Sequence, residues 1–271
     1  MPRLLINNIS ISYQEANSEQ HKSLFLIHGH SSSSNVWKSQ LSSPLFANYH
    51  LIAPDLPGCG ESGRSQSPDS DYAIDGHAKI IAGFINELGL NDLILIGHSL
   101  GGHIAIECMP HLNKPLTGLV IFGAPPFSGV ADMGIAFNPV AEFSVMLTAD
   151  PEPEGINAFF NVSIANSRIS HDDFIRDFNH TDPAFRGALG KSVQEERIAD
   201  EVKILVSSHT STAIFNGELD PFIIVDYMDS LLINKWRNKV HIIPGAGHYP
   251  QVEQPEKFNA LLAGYIGDIL V

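Results

Sequence analysis

The chain has 271 residues, a length that suits one large α/β domain carrying an insertion better than two independent domains. Apolar residues make up 44% and charged residues 17%, an ordinary globular balance that excludes long disordered stretches. The formal net charge of −14 repels phosphate backbones and anionic lipid, which argues against nucleic-acid and membrane partners.

The first residues, "MPRLLINNISISY", lack the unbroken apolar core of a signal peptide. No later apolar run reaches the roughly 18 residues that a bilayer span requires, so a cytoplasmic protein is the expectation. "LLI" and "ISISY" read as a hairpin around Asn7 and Asn8. Six apolar runs then read as strands: "LFLIHG" (24–29), "LIAPD" (51–55), "LILIG" (93–97), "LVIFGA" (119–124), "AIFNG" (213–217) and "KVHIIPG" (239–245). They are continuous rather than alternating, the pattern of a parallel sheet covered on both faces. Between them, Ile80, Ile81, Phe84, Ile85 and Leu88 recur at helical spacing. "LGGHIAIECM" is a second helix. A last helix opens at Pro255 and lines one face with Phe258, Leu261, Leu262, Tyr265, Ile266 and Ile269. The two cysteines, Cys59 and Cys108, are too few for a disulfide framework and read as a loop thiol and a buried helix thiol.

This alternation predicts an α/β fold with a mostly parallel eight-stranded sheet flanked by helices. One stretch breaks the rhythm. Residues 127–207 contain no convincing strand but several helix starts: Asp150 before Pro151, Ser170 before "HDDF", and Asp182 before Pro183. The expectation is a helical cap (127–207) inserted into a body formed by 1–126 and 208–271.

Ser99 in "GHSLGG" stands where a strand gives way to a helix. Gly97 and Gly101 leave room for a sharp turn that lifts the serine hydroxyl above the carboxyl edge of the sheet. A serine needs a base. His248, in "IIPGAGHYP" beyond the last strand, falls at the same edge, whereas most other histidines read as surface or local hydrogen-bonding groups. The base needs a carboxylate. Asp220 follows "AIFNG"; Glu218, two residues earlier, is the rival, and strand parity does not separate them. Pro221 beside Asp220 favours the aspartate. Oxyanion donors are expected from the backbone N–H groups of Leu100, at a helix start, and His30, in "HGHSS". "HGH" lacks the further histidine and aspartate ligands of a metal site, so no metal and no cofactor are expected.

The pieces "HGHSSS", "APDLPGCGESG", "GHSLGG", "NGELDPF" and "GAGHYPQVEQPEKF" together resemble the α/β-hydrolase superfamily. Asp55 and Gly58 match its structural rim loop. Within the superfamily the chain is most similar to the metal-independent N-acyl homoserine lactonases. That resemblance implies Ser99, Asp220 and His248 as the triad and an acylated lactone as substrate. The chain departs from that group in three places. The group's acid is a glutamate, where Asp220 stands here. Its residue after "HG" is asparagine, where this chain has His30. It uses a cap tyrosine, whereas this chain has none between Tyr72 and Tyr227, and Phe159 or Phe160 falls at the expected place.

The expected chemistry is acyl transfer from a small-molecule ester or lactone through Ser99, followed by hydrolysis. Phe137, Phe143, Met146, Phe159 and Phe160 are candidates for an acyl-chain pocket. A carbon–carbon bond hydrolase or thioesterase with the same triad, or a slow-turnover receptor on this fold, are the alternatives.

Overall fold

A computed structural model describes residues 1–270. Eight strands form one sheet: β1 (Arg3–Ile6), β2 (Ile9–Ala16), β3 (Lys22–Ile27), β4 (His50–Pro54), β5 (Asn91–His98), β6 (Gly118–Phe122), β7 (Thr212–Gly217) and β8 (Lys235–Ile243). Their order is β1-β2-β4-β3-β5-β6-β7-β8. β1 pairs antiparallel with β2, and β2 with β4; every other pairing is parallel. Asn7 and Asn8 both adopt left-handed φ, 49° and 64°, and Ile6 pairs with Ile9. Asparagine tolerates that conformation, and two such residues make the tight hairpin turn whose twist matches the strands it joins.

Strand parity assigns the two faces. Phe25, Leu95 and Leu119 lie in register. Phe25 meets Phe84 of α1 (Ile74–Leu88) with ring centroids 5.7 Å apart. Phe122 and Phe215, also in register, face the other way and pack on Phe258 at 4.9 and 5.8 Å. Phe258 belongs to the last helix, which starts at Pro255 as its sequence indicates. The central strands β3 to β7 are buried from both sides, which is why their sequences are largely uninterrupted apolar runs. α2 (Leu100–Cys108) follows β5 after a single intervening residue, Ser99.

From β6 to β7 the chain builds helices instead of sheet strands: α3 (Pro153–Ser163), α4 (Asp172–His180), α5 (Pro183–Gln194) and α6 (Glu201–Ser208). Asp182 caps α5 as its sequence suggests, its side chain accepting from Ala184 N. The start expected at Pro151 lies instead at Pro153, after Glu152. Both prolines satisfy the φ of a first helical turn, so local sequence does not choose between them. Buried polar contacts tie this segment to the body. Tyr72 Oη donates to Asp182 Oδ2 at 2.8 Å and Ser33 Oγ donates to Asp177, while Arg186 braces the segment internally by donating to the carbonyls of Thr148, Ala149 and Phe178.

Candidate active site

Ser99 is the sole link between β5 and α2, with φ 51° and ψ −123°. A non-glycine residue there is strained, at a typical cost of about 1–3 kcal/mol. The neighbourhood imposes it: Ser99 N donates to Phe122 O at 2.8 Å, and Gly102 N donates back to Ser99 O at 2.8 Å. The two glycines of the motif are sterically required. A Cβ on Gly97 would lie 2.3 Å from Gly101 O, and one on Gly101 would lie 2.4 Å from Ile27 O. A Cβ on Gly29 would meet Ser99 Cβ at 3.2 Å, which puts the "HGH" loop against the serine.

His248 lies in the loop after β8. Its Nδ1–H donates to Asp220 Oδ2 at 2.8 Å, with the two side chains only 6% and 1% exposed. Asp220 is held in turn by Phe222 N, which donates to Oδ1 at 2.9 Å. Glu218 is exposed and turned away; its Oε2 accepts from Gly245 N at 2.9 Å. The fold thus separates the two carboxylates that parity left equal. The imidazole packs edge-on against Phe222 at 5.0 Å and against Gly123, whose φ is +60°; a Cβ there would come within 2.8 Å of the ring. No hydrogen bond joins Ser99 Oγ to the imidazole among the described residues, although both side chains line one pocket. Such contacts commonly tighten only in the reacting complex.

The sequence reading missed Glu253, which organises the His248 loop. Its Oε1 accepts from Gly247 N and Tyr249 N, both at 3.0 Å, on either side of His248. Its Oε2 accepts from Ala165 N and Asn166 N at 2.8 and 3.0 Å, just past α3. His248 N donates to Ser163 O at 2.8 Å. One buried carboxylate therefore locks the imidazole's backbone to the overlying segment. A carboxylate five residues after "GH" was the available signal, but half of its partners, Ala165 and Asn166, come from a distant part of the chain.

The backbone N–H groups of His30 and Leu100 have no intramolecular partner among the described residues. Leu100 N also opens α2, where the helix dipole favours negative charge. The His30 ring is buried against Phe185 at 5.1 Å with neither nitrogen bonded. Burial, with the Arg186 and His77 charges, pushes its pKa down to about 3. His98 is also buried: its Nε2–H donates to His248 O at 2.8 Å, and burial, then the nearby His248 charge, hold its pKa well below the ordinary value. His77 is buried with both nitrogens unbonded. These three rings are buried, and only His98 among them makes a hydrogen bond. His28 and His30 do not converge on a common point. His28 Nε2 accepts from Leu56 N at 2.9 Å, and among the described residues no three His, Cys, Asp or Glu side chains gather as a metal site would need.

The pocket above Ser99 encloses about 830 Å³, its open mouth included, and is lined mainly by apolar side chains. Phe137, Phe143, Met146 and Phe159 line it as anticipated. Phe160 does not. Successive residues on a helix point about 100° apart, and Phe160 turns away to pack on Phe174, Phe178 and Tyr249. His103, one turn beyond Ser99, also lines the pocket.

Comparisons with known proteins agree with this architecture. A crystal structure of a variant of the N-acyl homoserine lactonase AidH with bound N-hexanoyl homoserine lactone superposes with a TM-score of 0.92 at 27% identity, covering 99% of this chain and 97% of that one. An esterase from Thermogutta terrifontis shares the fold, with a TM-score of 0.78 at 19% identity over 99% and 98% of the two chains. By sequence, the chain is 24% identical over 276 aligned positions to a 2-hydroxy-6-oxo-6-phenylhexa-2,4-dienoate hydrolase of Burkholderia cepacia, covering 97% of this chain and 93% of that one. No helix among the described residues is long and apolar enough to cross a membrane. The alpha/beta hydrolase family model matches residues 24–261, from the first central strand to the last helix, and the chain belongs to that family.

Proposed function

We propose that the protein is a serine hydrolase that opens an acylated lactone, or cleaves a related neutral ester, through an acyl-enzyme on Ser99. The observation that carries this reading is the buried His248–Asp220 pair, 2.8 Å apart, on a pocket that Ser99 also lines. His248 takes the proton of Ser99 as Oγ attacks the carbonyl, and Asp220 keeps the Nδ1–H tautomer and stabilises the cation. The free N–H groups of His30 and Leu100 receive the oxyanion; one such donor is typically worth about 3 kcal/mol in the transition state. His248 then protonates the leaving alcohol, which in a lactone stays tethered to the acyl group. Water, activated by the same imidazole, releases the product. The helices between β6 and β7 act as a cap whose side chains shape the acyl pocket.

The Burkholderia cepacia relative supports a second reading, carbon–carbon bond hydrolysis of a dienoate. The pocket lining weighs against it. That substrate class carries a carboxylate, and no Lys or Arg lines the pocket among the described residues. A neutral acyl lactone needs no such counter-charge.

Proton release on incubation with N-hexanoyl homoserine lactone, measured by pH-stat, tests the reading. Release well above the buffer rate that vanishes in Ser99→Ala is the expected result. Brisk p-nitrophenyl ester cleavage without lactone opening would restrict the protein to open-chain esters. Cleavage of a dienoate ketone in preference to both would favour the second reading.

A further inference from the structure

The proposed triad leaves a second buried histidine–carboxylate pair unused in the same pocket. His103 sits on α2 one helical turn past Ser99, or ~6 Å along the axis at 1.5 Å per residue. Its Nδ1 lies 2.9 and 3.0 Å from the two carboxylate oxygens of Glu201, which starts α6. The His103 side chain is 9% exposed and that of Glu201 is fully buried. Phe127 N donates to Glu201 Oε2 at 3.3 Å, and Glu107 stands behind, accepting from Ala199 N at 3.1 Å. The ring is therefore oriented from one side only. Nε2 has no hydrogen-bond partner among the described residues, yet it is not fully buried, in contrast to both ring nitrogens of His30 and His77. His103 lines the pocket, where its aromatic neighbours are Phe127 at 4.9 Å and Phe137 at 6.5 Å.

A lone hydrogen-bonding nitrogen in an apolar wall becomes costly when a bound ligand displaces water from it without replacing the hydrogen bond. The chemistry of its surroundings selects the ligand. A carboxylate is disfavoured, because Glu201 and Glu107 lie directly behind the ring. A plain alkyl chain leaves the nitrogen unsatisfied. A neutral oxygen function satisfies it: a keto oxygen accepts from Nε2–H of the imidazolium, and a hydroxyl either accepts from that group or donates to the neutral ring. We propose that His103, held by Glu201, is a specificity anchor for a hydroxyl or keto oxygen carried a few carbons along the substrate's acyl chain. Burial opposes charge on His103, but the Glu201 charge and hydrogen bond, backed by Glu107, outweigh it and raise the pKa, so the donor form is favoured.

The inference rests on the serine-hydrolase reading for its kinetic test and stands apart from it in a binding test. For the wild-type protein, kcat/KM on p-nitrophenyl 3-hydroxyhexanoate or 5-oxohexanoate should exceed that on p-nitrophenyl hexanoate by about tenfold, the yield of one hydrogen bond to a charged donor. The mono-p-nitrophenyl ester of adipate, with its terminal carboxylate, should be the poorest substrate. His103→Phe should collapse the oxygenated-to-plain ratio toward one, and His103→Gln, which retains a donor, should restore part of it. Equal rates on plain and oxygenated chains in the wild-type protein would overturn the anchor, without reliance on any variant's folding. So would a ratio that survives His103→Phe. Calorimetric titration with hexanamide and 3-hydroxyhexanamide reads the same preference without turnover. If no ester is cleaved while the hydroxylated amide still binds more tightly, the hydrolase reading fails and the anchor stands. Equal binding of the two amides removes the anchor.

Discussion

At the carboxyl edge of the sheet Ser99 and His248 are placed by backbone. Ser99 hangs between two hydrogen bonds to main chain, its flanking glycines have no room for a Cβ, and His248 is clamped through the N–H groups on either side of it. In the segment between β6 and β7, the pocket is instead built by side chains packed on one another. Phe159 stacks on Phe222 at 5.5 Å, and Phe143 packs on Phe137 and Phe222. Backbone-imposed geometry tolerates almost no substitution. Side-chain packing can be re-cut with a graded cost. The contrast suits an enzyme whose chemistry is fixed and whose substrate range is adjustable.

The comparison breaks most visibly at Ser99. Ser99→Ala or His248→Ala should lower kcat on p-nitrophenyl hexanoate by roughly 10⁴–10⁶. Ser99→Gly should be just as inactive yet more stable in urea unfolding, by about 1 kcal/mol, because φ 51° suits glycine. A Ser99→Gly protein less stable than wild type would show that the turn holds no strain. Next in size, Asp220→Asn should cost about 10³–10⁴ in kcat, with Glu218→Gln near wild type because Glu218 holds only Gly245. Comparable losses from the two would overturn the choice of acid.

In the overlying segment the expected effects are smaller and differently distributed. Phe159→Ala should destabilise the fold by about 3 kcal/mol in urea unfolding, and should alter chain-length preference more than the rate of Ser99 acylation. An unchanged preference would separate Phe159 from the substrate. The last effect concerns pH. Burial, with nearby positive charge, depresses His30 and His77 to about 3. The unfolded chain therefore binds protons that the folded state excludes. The stability from keeping these rings neutral is fully present above pH 6.5 and is lost as pH falls from there toward 3, at about 1.4 kcal/mol per pH unit for each ring. His77→Phe should flatten the stability–pH slope over that window by about one proton. An unchanged slope would mean that His77 titrates normally.

Much of this was legible beforehand. The parallel sheet followed from continuous apolar runs, the hairpin from Asn7–Asn8, and the sharp turn at Ser99 from glycines at a strand-to-helix junction. Other features were hidden for identifiable reasons. Asp220 and Glu218 share strand parity, and only the turn after β7 sends one to His248 and the other to Gly245. Phe160 neighbours Phe159 in sequence but stands on another face of the same helix. Glu201 draws His103 and Phe127 from far along the chain, and Glu253 joins its own loop to the distant Ala165 and Asn166, so local pattern did not reveal either role.

The sequence by itself determined the order of strands and helices, the placement of Ser99 and His248 at one edge, and the hydrolase class. These depend on short-range rules: hydrophobic period, turn stereochemistry and the space a glycine leaves. Tertiary structure alone decided which carboxylate meets His248, which phenylalanines face the pocket, and that His103, paired with Glu201, lines it. Those outcomes depend on contacts between segments up to a hundred residues apart, where burial and hydrogen bonding select among side chains that are chemically equivalent along the chain.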